Sequence, residues 1–253
     1  MAVCVIRSLS MKRAPMPTHP HPSNFTLPEH IEQRLLDHLT FLYGAERAPA
    51  LLERLRTILT RFRQRNPQLP TAEECPLPQE RLTERDAILI TYGDQVTEPG
   101  KPPLQTLAEV LEKYVKGIVT GVHVLPFFPY SSDDGFSIID YTVVNPDFGT
   151  WADIERLGRH FRLMFDAVIN HISARSGWFQ EFLKDNPEFA DYFITVEEGT
   201  DLSQVVRPRA LPLLTPVQTA SGERLVWTTF STDQIDLNYA NPDILLKIIE
   251  ILL

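Results

Sequence analysis

The chain has 253 residues, 43% of them hydrophobic, and a formal net charge of −9. That is enough apolar material for a sizeable packed core, and the acidic balance argues against nucleic acid as a partner. No apolar run approaches the roughly 20 residues a membrane span needs. The two cysteines, Cys4 and Cys75, sit in no CxxC or metal-ligand spacing, which fits a reducing, cytoplasmic setting without a disulfide framework.

The N-terminal MAVCVIRSLSMKR has no basic residue before its short apolar patch and makes a poor signal peptide. Met1 and Met11 are both candidate starts; with Met11 the first ten residues would be an artefact. Residues 1–28, ending in the Pro-rich RAPMPTHPHPSNFTLP, are expected to be a disordered lead-in, where His19 and His21 are too isolated to hold a metal. A helical hairpin is expected over 29–65. Ile31, Leu35, Leu36, Leu39 and Leu42 recur at helical spacing up to Gly44. Pro49 suits the first turn of a second helix striped by Leu51, Leu52, Leu55, Ile58, Leu59 and Phe62. Its arginines, Arg54, Arg56, Arg61, Arg63 and Arg65, read as a solvated face rather than an anion site. Residues 66–86 read as a linker.

From residue 87 the texture changes. AILITY, GIVTGVHVLPFF and RLMFDAVIN read as buried strands, separated by the helical LQTLAEVLEKYV and WADIERLGRHF. Strand–helix alternation implies α/β architecture with a parallel sheet, either doubly wound or the start of a (β/α)8 barrel. No GxGxxG follows the first strand, which counts against dinucleotide binding. Residues 87–171 would be the first βα units, and 172–240 an inserted subdomain with a hairpin around Ser221-Gly222. Residues 241–253 would be the next barrel helix, capped by Asn241 with Pro242 at its first position.

Ligands of parallel sheets sit at the carboxyl ends of the strands. There this chain places Tyr92, Asp94 and Gln95, then Phe127, Phe128 and Tyr130 leading into Ser131-Ser132-Asp133-Asp134-Gly135-Phe136, and finally Asn170 and His171. Rings that stack on sugar faces beside groups that bond hydroxyls suggest a pocket for a small polyhydroxy ligand. Blander readings stay open: Asp133 and Asp134 as turn formers before Gly135, His171 as a satisfied loop histidine, Arg207 and Arg209 as surface charges or as a phosphate site. Asp166, within a buried strand, needs partners whatever its role.

Asp166-x-x-x-Asn170-His171 at the end of a third strand resembles the first motif of glycoside hydrolase family 13, the α-amylase superfamily, and GFSIIDYTVVNPDFGTWADIERL resembles its region after the second strand. LPFFPYSSDDGFS, VINHIS, VVRPRALPLLTP and LVWTTFSTDQIDLN resemble the sucrose phosphorylase subfamily, and the helical extension resembles its glucosylglycerate phosphorylase branch. The resemblance implies the N-terminal portion of a (β/α)8 TIM barrel, about three βα units, with an inserted subdomain after the third strand. It implies that Asp133, Phe136, His171 and Gln234 bind substrate, that Arg207 and Arg209 meet phosphate or the acceptor, and that Asp166 and Asn170 brace the wall. The partners implied are an α-glucoside and inorganic phosphate, with no metal or organic cofactor. Sucrose, sucrose 6-phosphate and glucosylglycerate enzymes share most of these motifs.

A retaining enzyme on glycosides needs two carboxyl groups about 5–5.5 Å apart. In the family the nucleophile is the Asp of an Arg-x-Asp motif on the fourth strand, and this sequence contains no Arg-x-Asp. The nucleophile and acid/base are therefore expected beyond Leu253, and the 253-residue chain alone is expected to be inactive. Asp233, Asp236 and Glu250 match no catalytic motif. The alternatives are an amylase-type hydrolase or transglucosidase of the same superfamily, or a non-catalytic sugar-binding or interaction module.

Overall fold

The computed structural model describes residues 2–6, 26–69, 83–206, 210 and 212–253. Most of the expected lead-in, most of the expected linker, Arg207 and Arg209 lie outside the described residues. The chain divides into two units: Met1–Ser10 with Leu82–Asn238, and Met11–Arg81 with Tyr239–Leu253.

In chain order the elements are β1 (Ala2–Ile6), α1 (Glu29–Tyr43), α2 (Ala48–Arg65), β2 (Ile88–Thr91), α3 (Pro103–Tyr114), β3 (Gly121–Val124), α4 (Trp151–Gly158), β4 (Arg162–Ala167), β5 (His171–Ser173), α5 (Gly177–Leu183), β6 (Thr195–Val196), β7 (Leu214–Thr219), β8 (Gly222–Trp227), β9 (Gln234–Asp236) and α6 (Pro242–Leu252). No helix among the described residues is long and apolar enough to cross a membrane.

The first unit is built on a sheet ordered β1-β4-β3-β2, in which β2, β3 and β4 are parallel. Side chains alternate between its faces. Leu89, Val122, Val124, Leu163 and Phe165 share one face and form a core with Leu104, Leu107 and Leu111 of α3 and Ile154 and Leu157 of α4. Phe127 is fully buried there, its ring 5.0 Å from Phe165, and Phe128 and Tyr130 pack against the same core. These rings were expected on the ligand rim; they go inward, onto the apolar surface that α3, α4 and the strands share.

Two further expectations are corrected here. The lead-in contains β1, antiparallel to β4 with Ala2 opposite Ala167. A strand edge left bare presents unpaired N–H and C=O groups, and the apolar, β-branched AVCVI pairs with it. The third strand, expected to run through Asn170 and His171, stops at Ala167. There the chain bends: Ile169 N–H bonds the Ala167 carbonyl at 3.0 Å, and the Tyr141 hydroxyl lies 2.8 Å from the carbonyl of Val168 and 3.1 Å from that of His171. His171 instead opens β5, which pairs antiparallel with β9. Beyond it, β6, β8 and β7 make a small antiparallel sheet, with the expected hairpin turning at Ala220-Ser221.

The second unit is helical. Leu39 of α1, Leu51, Leu52 and Leu55 of α2, and Leu246 of α6 are buried together. The closing helix, expected as a barrel helix, thus packs with the hairpin. Its apolar stripe declares that it packs but not against what. Asn241 caps it, its side chain accepting from the Asp243 N–H. The arginine face of α2 is partly paired: Arg54 lies 2.6 Å from Asp243, and Arg56 meets Glu32 and Glu53. Such exposed pairs add little to stability, because water screens them.

Candidate functional site

Where β4 gives way to β5, a cavity of about 480 Å³ opens, lined by Asp133, Phe136, Ala167, Val168, Ile169, Asn170, His171, Phe230 and Gln234. That lies within the roughly 300–1,000 Å³ usual for small-molecule sites. Three segments far apart in sequence converge on it: the turn after β3, the bend after β4, and the stretch entering β9.

The turn after β3 is forced into an unusual shape. Asp133, Asp134 and Gly135 all have positive φ, at 57°, 48° and 102°. Asp tolerates the left-handed region better than most residues, yet each such residue costs on the order of 1 kcal/mol. At Gly135 nothing else fits, because a Cβ would come within 2.6 Å of the Pro126 carbonyl oxygen. The shape leaves Asp133 exposed beside the half-buried Phe136.

Gln234 is 2% exposed and fixed at both ends of its amide. Its Oε1 accepts from the Ser231 hydroxyl at 2.9 Å, and its Nε2 donates to Asp133 Oδ2 at 3.0 Å. His171 Nε2 lies 2.9 Å from the Phe136 carbonyl, which can only accept, so the proton sits on Nε2. The Gln234 Nε2 at 3.2 Å from it is then a contact between two donors, not a bond. Nδ1 is left as a buried acceptor without a hydrogen-bond partner among the described residues. Burial pushes the His171 imidazole below its ordinary value, opposed by the Phe136 carbonyl and the charges of Asp236 and Asp133. Burial likewise raises the Asp236 carboxyl, against the two bonds it accepts from Thr229.

Four sequence-expected residues, Asp133, Phe136, His171 and Gln234, therefore meet around one cavity. Asn170 is placed differently from its expected bracing role. It lies exposed on the rim, and its backbone carbonyl, accepting from Leu237 N–H at 2.9 Å, makes the link. Asp166 does not line the cavity; its buried carboxylate bonds His123 Nε2 at 2.9 Å from the neighbouring strand, while Oδ1 has no partner among the described residues. Tyr92, Asp94 and Gln95 do not line it either. Phe230 does, with its ring 5.1 Å from that of His171. Sequence reasoning passed over it, although an aromatic four residues before Gln234 in TTFSTDQ was the available signal. A carboxylate, an amide, an imidazole and two rings around one hollow can bond the hydroxyls and cover the apolar face of a small polyhydroxy ligand.

Residues 97–252 match the Alpha-amylase family, described as Alpha amylase, catalytic domain. The chain is 54% identical over 232 residues to the glucosylglycerate phosphorylase of Allomeiothermus silvanus, covering 90% of this chain and 39% of that protein. It is 44% identical over 224 residues to that of Escherichia coli, covering 88% and 39%. Among solved structures, the sucrose 6F-phosphate phosphorylase from Thermoanaerobacter thermosaccharolyticum matches with a TM-score of 0.60 at 35% identity, over 68% of this chain and 37% of that one. The chain thus spans about two fifths of the length of the curated relatives it matches.

Proposed function

The chain belongs to the alpha-amylase catalytic-domain family, glycoside hydrolase family 13, and forms part of a (β/α)8 barrel; from that premise we propose that its cavity holds the glucosyl unit of an α-glucoside and is one wall of a glucoside phosphorylase site. The observation that carries this is the convergence of Asp133, His171, Gln234, Phe136 and Phe230 on one cavity of about 480 Å³. Asp133 accepts from sugar hydroxyls, Phe136 and Phe230 cover the ring, Gln234 orients Asp133, and His171 supplies a neutral imidazole. Arg207 and Arg209 are assigned to phosphate or the acceptor on the sequence and on the guanidinium fit to phosphate oxygens.

In the whole protein the reaction converts an α-glucoside and phosphate to α-glucose 1-phosphate and the free acceptor. Retention requires two displacements at the anomeric carbon, with one carboxylate as nucleophile and one carboxyl as acid, then base. No residue of this sequence is assigned to either, so the 253-residue chain binds but does not turn over.

Titrating the chain with methyl α-D-glucoside tests the binding half. Saturable binding is expected, weakened at least about tenfold, or roughly 1.4 kcal/mol, by His171→Ala. A folded sample that shows no saturation would sink the assignment. The reaction is tested at the relatives' full length by following glucose 1-phosphate formed from glucosylglycerate or sucrose. Glucose release indifferent to phosphate would establish hydrolysis instead.

A further inference from the structure

Behind the cavity lies a polar cluster that no proposed sugar contact uses. Asp233 Oδ2 is 2.5 Å from the hydroxyls of both Ser131 and Ser132 and 2.8 Å from that of Ser137. Ser137 Oγ also lies 3.0 Å from the Asp233 carbonyl, and Ser131 Oγ is 2.5 Å from Ser173 Oγ. Each serine has a single hydroxyl proton, which fixes a consistent pattern. Ser173, accepting from Arg175 N–H at 2.9 Å, donates to Ser131. Ser131 and Ser132 donate to the carboxylate. Ser137 has both Oδ2 and the Asp233 carbonyl within reach of its one proton, so either way it donates to Asp233.

The cluster joins the segments that carry the cavity groups. Ser132 immediately precedes Asp133, and Asp233 immediately precedes Gln234. Backbone bonds run in parallel: Ala174 N–H donates to the Asp233 carbonyl at 2.9 Å and Ser173 N–H to the Ile138 carbonyl at 2.8 Å. Between the anchored Ser132 and Ser137 lie the three positive-φ residues, a conformation that persists only where its surroundings over-determine it. We propose that Asp233 is a positioning residue of the sugar site: its carboxylate clamps the turn bearing Asp133 and Phe136 against Gln234 and His171. The consequence for binding rests on the sugar-pocket reading; the clamp itself does not.

Two measurements on the 253-residue chain separate these. The first is amide hydrogen exchange. Asp233→Ala should accelerate exchange in residues 131–137 at least about tenfold while α3 and β3 keep their protection. Asp233→Asn, which retains an acceptor oxygen for the serines, should restore most of the protection. The second is titration with methyl α-D-glucoside. Asp233→Ala should weaken binding at least about tenfold, yet add less than twofold in an Asp133→Ala background, because a residue that acts through Asp133 couples to it. Should Asp233→Ala not fold, Ser132→Ala removes one donor and should show the same local pattern at smaller size. Unchanged exchange in the turn, or exchange raised uniformly across the unit, overturns the clamp. A loosened turn with undiminished binding overturns the positioning role. If the unsubstituted chain shows no saturable binding, the sugar reading falls while exchange still decides the clamp.

Discussion

The two faces of the parallel sheet obey different rules. On the helix-covered face the register stacks Leu89, Val122 and Leu163 in one row and Thr91, Val124 and Phe165 in the next, apolar throughout but for the buried Thr91. On the opposite face Ile90 is 62% exposed, and two neighbouring strands bury a histidine and an aspartate against each other. The first arrangement is non-directional: any residues of the right volume would fill it, and its stabilisation scales with area removed from water. The second is directional and carries a desolvation cost that only a partner offsets. A fold that needed stability alone would not bury His123 and Asp166, so that face is where specific placement matters.

The comparison predicts losses of similar size on truncation, with different physical causes. Phe127→Ala, on the apolar side, should cost about 3–5 kcal/mol through lost contacts and the cavity left behind. Urea unfolding would measure it, with the turn at 131–137 keeping its relative protection. A loss under about 1 kcal/mol would mean that α3 and α4 collapse onto the gap and that the packing is loose. His123→Ala, on the polar side, should cost about 3 kcal/mol although it removes far fewer apolar contacts, because it leaves the Asp166 carboxylate buried without its partner. The discriminating measurement is the double variant. His123→Leu combined with Asp166→Leu should recover much of that loss, whereas no second substitution on the polar face should rescue Phe127→Ala. Recovery absent from the first pair would indicate that the contact at 2.9 Å is incidental.

What was legible in the sequence follows the same division. The helices were readable because Leu35, Leu39, Leu51 and Leu55 recur at a period that only a helix places on one face, and the three parallel strands because AILITY, TGVHV and RLMFDA are apolar runs between such helices. The four cavity residues stood in recognisable motifs. Partners remote in sequence did not declare themselves. Nothing in Ser131, Ser132, Ser137 and Ser173 announces a carboxylate at residue 233, since serines are ordinary turn residues. Nor did Val-His-Val show that His123 would meet an aspartate 43 residues later. Strand limits failed for a related reason: the run from Arg162 through Ile169 is apolar enough for a strand, and the contacts that mark its end at Ala167 include the Tyr141 hydroxyl, supplied by another segment.

The smallest predicted effect sharpens the polar side further. Burial holds the His171 imidazole below its ordinary value even though Asp236 and Asp133 pull the other way. A histidine whose folded value is depressed contributes stability that is fully present above the unfolded value, near 6.5, and lost as pH falls through the folded value. Thermal unfolding should therefore drop more steeply below that point in the unsubstituted chain than in His171→Gln, which can still donate to the Phe136 carbonyl but cannot titrate. Asp236, whose folded value burial raises, has the opposite sign, its stabilisation being lost as pH rises; Asp236→Asn separates the two slopes. Parallel curves for the unsubstituted chain and His171→Gln would mean that water enters the cavity and hydrates the ring. The geometry argues for divergence: protonation places a second N–H on Nδ1, buried where no acceptor among the described residues meets it, so the charge and the unpaired donor are disfavoured together.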